Sequence, residues 1–271
     1  MPSERIAALA NSLTQNSIDC FLAHDPVSMG YLHGFHEGAG ERFMTLAIRN
    51  TGEVRMICPA LSESQAKRAG IEQVASWKDG EDPLAHFDGL ARDWSLESGI
   101  IAVDATMPAR LLLQLQEALP AALFRNGEAY VGDLMSRKSD EELQRMRVAG
   151  SIADKAFKVV SPNIKAGLTE RQVSKMLSDA MAELGGTPVF SIVAAGKGSA
   201  EPHHISDDTV LKRGDVVILD FGCDFEGYKS DITRTVAIWD PSEKAKKVYE
   251  IVLRAHQAAR KAIQPGTPCE S

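Results

Sequence analysis

GDVVILDFGCDFEGYKSDITRTVAIWD, Gly214 to Asp240, is the stretch on which the reading of this chain turns. Its first arm, VVILDFG, has the apolar density of a strand, yet one carboxylate, Asp220, follows four consecutive aliphatic residues. Asp224 to Gly227 turns the chain, and SDITRTVAI reads as a returning strand with Asp231 near its start. Residues 220 and 231 lie symmetrically about that turn, so an antiparallel hairpin brings both carboxylates to one face. An Asp within such an aliphatic run is costly to bury without a partner. Two adjacent carboxylates repel, and a divalent cation between them removes the conflict. Hard oxygen donors at a shared site are what a dinuclear hydrolase uses to hold metals and activate water. The competing reading makes Asp220 a solvated strand end and Asp231 a cap or turn residue. The run before Asp220 argues against it.

Upstream of the hairpin lie two helical patterns. In SRKSDEELQRMRVAGSIADKAFKVV, residues Leu143, Met146, Ala149, Ile152 and Ala156 form one apolar stripe, and Ser139 with Glu142 makes a capping box. Thr169 and Gln172 repeat the capping pattern before a stripe of Val173, Met176, Leu177 and Met181, closed by Gly185-Gly186. The first half reads differently. A helical face over Arg5 to Ser17 precedes a short apolar run, Ile18 to His24. MTLAIRN and VRMICPA read as strands joined by a turn at Asn50 to Glu53. LSESQAKRAG reads as a helix closed by Gly70, GIIAVDA as a buried strand, and PARLLLQLQEAL as a helix beginning near Pro108. Such alternation predicts an α/β layer domain. The change of texture sets the boundary at residues 133 to 138, dividing the chain into domains 1–135 and 136–271.

Composition narrows the function classes. The 271 residues can bury substantial cores, and 44% hydrophobic with 25% charged residues suits a soluble globular protein. A formal charge of −7 excludes the basic surface that nucleic acid or an anionic membrane requires. No apolar run approaches the ~20 residues of a membrane span. MPSERIAALANSLTQ is not a signal peptide, and Cys20, Cys58, Cys223 and Cys269 have no CxxC spacing, so reduced thiols in a cytoplasmic protein are expected. Gly196-Lys197-Gly198 opens no phosphate-binding motif, His33 and His36 read as loop residues, and Cys223 reads as an inert small side chain.

The pattern VVILDFG, GY, SDITRT resembles the metal-binding hairpin of the pita-bread metallopeptidases, the family of aminopeptidase P, prolidase, methionine aminopeptidase and creatinase. FSIVAAGKGSAEPHH, Phe190 to His204, is similar to the family's upstream segment with its substrate-binding histidine. By spacing to Gly214-Asp215, His203 rather than His204 is the matching position. RKSDEELQRMRVAGSIAD resembles the helix that opens the catalytic domain, and YLHGFHEGAGER, Tyr31 to Arg42, resembles the N-terminal domain of prolidase, aminopeptidase P and creatinase. The resemblance implies an α/β N-terminal domain, creatinase-like and ribonuclease-H-like, followed by an incomplete α+β pita-bread domain. It implies that Asp220 ligates one metal, that Asp231 bridges two, and that His203 contacts the substrate or stabilises the tetrahedral intermediate. Two divalent ions (Mn, Co, Fe or Zn), a peptide substrate with proline at the second position, and a homodimer in the full-length form follow from it as well. The family pattern also has a later His and two later Glu ligands, whereas this sequence ends at KAIQPGTPCES. A C-terminally truncated chain, with at most one weakly held ion and no Xaa-Pro hydrolysis by itself, is therefore expected. A creatinase-like C–N hydrolase and a non-catalytic pita-bread binding protein are the alternatives; retention of Asp220 and Asp231 favours the metal-dependent peptidase.

Overall fold

The computed structural model describes residues 2–270, which fall into two compact units, one ending at Arg137 and the other beginning at Lys138. In the first unit α1 (Pro2–Gln15) leads into β1 (Cys20–Ala23), α2 (Pro26–His33), β2 (Thr45–Arg49) and β3 (Val54–Pro59). It continues through α3 (Glu63–Arg68), β4 (Val74–Trp77), α4 (Pro83–Trp94) and β5 (Ile100–Val103). α5 (Ala109–Ala118), β6 (Leu123–Asn126) and α6 (Glu128–Ser136) complete it. The six strands form one mixed sheet in the order β4-β3-β2-β1-β5-β6, antiparallel where β1 meets β2 and β2 meets β3, and parallel elsewhere.

Strand alternation buries both faces of that sheet. Phe21, Leu46, Ile48 and Met56 pack with Leu9 and Leu13 of α1 and with Met29 and Leu32 of α2. Leu22, Ala47, Ile57 and Ile101 pack with Phe87 and Leu90 of α4 and with Leu111 and Leu115 of α5. The helical face expected over Arg5 to Ser17 is thus core, and the turn at Gly52 adopts φ +89, which glycine reaches without strain.

The second unit begins with α7 (Asp140–Val160) and α8 (Glu170–Glu183). Both start with the expected capping boxes, Ser139 with Glu142 and Thr169 with Gln172. Then come β7 (Thr187–Ala195), β8 (Val216–Phe225), β9 (Tyr228–Lys229), β10 (Ile232–Ala237) and α9 (Glu243–Ala262). The sheet order is β10-β8-β7, all antiparallel, with β9 added to β8. Val193, Val217, Leu219 and Phe221 face Ile152 and Ala156 of α7 and Val173 and Leu177 of α8. Each fully buried aliphatic or aromatic side chain of this kind contributes about 2 kcal/mol. The stripe of α7 needs one correction. Met146 is 38% exposed and Leu143 half-buried, because the first turns of the helix carry Glu142, not an apolar residue, inward.

Candidate metal and substrate site

In the hairpin Thr233 stands opposite Asp220 and Ile232 opposite Phe221, and β9 keeps the same register with Lys229 opposite Asp224. Carried through the two residues between, that register sets Asp231 opposite Gly222. Paired residues share a face, so Asp220 and Asp231 lie on one face, displaced diagonally. Such diagonal neighbours are about 7–8 Å apart at Cα, close enough for two carboxylates to reach a common ion. The turn is tight, since Glu226 and Gly227 both have positive φ, +50 and +85, the conformation of a two-residue hairpin loop.

The aliphatic run before Asp220 misleads in one respect. Alternation sends Val217 and Leu219 to the core and Asp220 to the other face, where it is half-buried, while Asp231 is exposed. A pair of buried carboxylates is therefore not what the structure contains. Thr233 Oγ1 donates to Asp220 Oδ1 at 2.8 Å and orients that carboxylate. Asp231 is placed by its neighbour Ser230, whose N–H donates to Cys223 O at 2.8 Å and whose Oγ accepts from Cys223 N at 3.1 Å. A Cβ on Gly222 would lie 2.0 Å from Ser230 O, so only glycine admits this approach. Tyr228 Oη donates to the buried Glu142 at 2.7 Å, tying the hairpin tip to the start of α7.

His203 is exposed on the loop that runs beside β7. That loop is held by Ser206, whose Oγ accepts from Val193 N at 2.7 Å and donates to Val193 O at 3.1 Å. Val193 follows Ile192, the residue opposite Asp220, so the loop is fastened beside the strand that flanks the aspartates. His204 turns instead to Glu170, with Nε2 and Oε2 at 2.7 Å.

No spacing in the sequence joins Glu170, His204 and Asp207, although each offers a ligand atom within 4.8 Å of the others. The doubled histidine and the Thr-Glu start of α8 were the available signals. Hydrogen bonding describes this cluster better than an ion does. Glu170 accepts from Ala195 N at 2.7 Å and Asp207 N at 3.2 Å, and an ion taking its oxygens would strand those amides. Hydrogen bonds from Thr209 engage Asp207 and hold its carboxyl below the usual range.

Glu170 raises the His204 pKa above its ordinary 6.5, with a smaller contribution from Glu201. A group whose pKa is raised on folding contributes stability that is full below the unfolded value and lost as pH rises through the folded one. The melting temperature is therefore expected to fall as pH climbs from 6 into the alkaline range, and Glu170→Gln to flatten that fall. Parallel melting curves for the two proteins would refute the assignment.

No helix among the described residues is long and apolar enough to cross a membrane. Residues 144–271 match metallopeptidase family M24, and residues 5–134 match the Creatinase/Prolidase N-terminal domain. An Xaa-Pro dipeptidase from Pyrococcus horikoshii is 28% identical over 267 residues, 97% of this chain and 72% of the relative. Among solved structures, a dipeptidase from the same organism superposes with a TM-score of 0.87 at 30% identity, covering 96% of this chain and 72% of that one. A prolidase from Thermococcus sibiricus gives 0.90 at 29% identity, covering 96% and 71%. With an M24 match over residues 144–271 that follows in sequence a Creatinase/Prolidase N-terminal domain over residues 5–134, and a 30% identical dipeptidase structure of which it covers 72%, this chain belongs to metallopeptidase family M24.

Proposed function

We propose that this protein cleaves Xaa-Pro bonds of dipeptides or short peptides, with Asp220 and Asp231 as metal ligands and His203 on the substrate. The observation that carries the reading is the hairpin register, which sets two carboxylates diagonally on one face with a glycine between them. The donor set fits the ions, since hard carboxylate oxygens suit Mn, Co, Fe or Zn. Divalent ions, when bound, supply Lewis-acid polarisation of the scissile carbonyl and water activation. The chain's own residues hold the geometry for that chemistry. Thr233 orients Asp220, Ser230 and Gly222 place Asp231, and the His203 imidazole stabilises charge developing on the substrate oxygen. A homodimer accords with the resemblance to prolidases. A cytoplasmic setting accords with four free cysteines, three of them buried.

Two carboxylates supply at most four oxygen donors, so these residues by themselves hold at most one ion, weakly. Calorimetry with Mn or Co on the 271-residue chain is expected to show one weak site and no Xaa-Pro hydrolysis. The same protein carrying the later His and Glu ligands should bind two ions and cleave Xaa-Pro dipeptides in preference to Xaa-Ala controls. Tight binding of two ions by residues 1–271 would show that other side chains build the site.

A further inference from the structure

Glu170, the first residue of α8, is 0% exposed. A carboxylate so placed is costly unless it is fully hydrogen-bonded, and its partners come from distant segments. Oε1 accepts from Ala195 N, at the end of β7; Oε2 accepts from Asp207 N and meets His204 Nε2. The imidazole of His204 is confined on another side by the tight turn Gly196–Ala200, where a Cβ on Gly198 would come 2.9 Å from Cε1. The backbone N–H of His204 also donates to Glu201 O at 3.2 Å. One side chain thus fastens the end of β7 and the loop from His204 to Asp207.

The consequence falls on the neighbouring residue. His203 is exposed and owes its position to its own backbone, whose next residue, His204, is partly buried against Glu170. Ser206 provides the second fixing point three residues on. His203 directly precedes the first of these points, so the chain cannot carry it far without straining the His204–Glu170 hydrogen bond.

We propose that Glu170 and His204 are positioning residues for His203, their hydrogen bond setting where its imidazole stands. The meaning of this pair rests on the proposed role of His203 in Xaa-Pro cleavage, whereas its test rests on geometry alone. NMR of the labelled 271-residue chain compares His204→Leu with His204→Gln, since a glutamine amide can replace the Nε2 donor and leucine cannot. His204→Leu should speed amide exchange at Asp207 and Ala195 about tenfold or more, the loss of one hydrogen bond to a charged group. It should also sharpen the His203 imidazole signals and move them towards those of a free side chain. His204→Gln should keep both within about twofold of the wild type. Unchanged exchange and His203 signals in His204→Leu, or equal behaviour of the two variants, would overturn the proposal. Exchange at Leu219 and Phe221 in β8 reports whether the fold persists. If leucine unfolds the unit, His204→Asn, too short to present the Nε2 donor, replaces it with the same expected outcomes. Absence of Xaa-Pro hydrolysis by the ligand-complete protein would defeat the functional reading and leave this comparison decisive for the pair.

Discussion

Asp231→Asn is expected to lower kcat/KM for Xaa-Pro dipeptides by about a thousandfold, some 4 kcal/mol of transition-state stabilisation. Asparagine keeps one oxygen near its place but loses the charge and the second donor that a bridging ligand needs. The fold should be untouched. Asp231 is exposed, and substitutions at such positions change stability by about 0.5 kcal/mol or less. The measurement pairs kinetics in Mn, on the protein carrying the later ligands, with a melting curve. Activity within tenfold of the wild type would remove Asp231 from the site.

Gly222→Ala should act on the same hairpin through stability. The new methyl would meet Ser230 O at 2.0 Å and the Phe190 ring at 3.0 Å, and the first of these contacts is backbone that cannot rotate away. Overpacking of this kind costs about 3 kcal/mol, which lowers the melting temperature of a unit this size by roughly 10 °C. Because Ser230 must retreat, Asp231 moves with it, and metal affinity should fall alongside stability. A melting temperature within 2 °C of the wild type, an allowance of about 0.5 kcal/mol, would show that the hairpin relaxes without strain.

What could be read from the sequence, and what could not, follows from the range of each interaction. The capping boxes at Ser139 and Thr169 are local, three residues from donor to acceptor, and both are present in the structure. The hairpin was legible for a related reason, since its two arms are separated only by a turn with Gly227 at positive φ. β4 and β6 carry no such signal. They have four residues each, and the exposed Leu123 with the polar pair Arg125 and Asn126 gives β6 no alternation to detect. Glu170 and His204 lie 34 residues apart, and no periodicity links them. Only the folded chain shows that the second histidine of the pair at 203 and 204 points inward. Met146 marks the opposite failure, a residue on a correctly read stripe that reaches solvent because the helix extends past its core.

The unbroken register of the hairpin has a consequence for how such proteins can change length. Side chains on opposite arms share a face only while the count of residues between each of them and the turn keeps its parity. An insertion at Glu226-Gly227 lengthens the loop and leaves Asp220 and Asp231 where they are. One extra residue within either arm, at 221–225 or 228–230, would turn one carboxylate into the core beside Phe221 unless a bulge absorbed it. Length variation among relatives should therefore collect at the two-residue tip, and the arms on either side should drift in sequence without drifting in number.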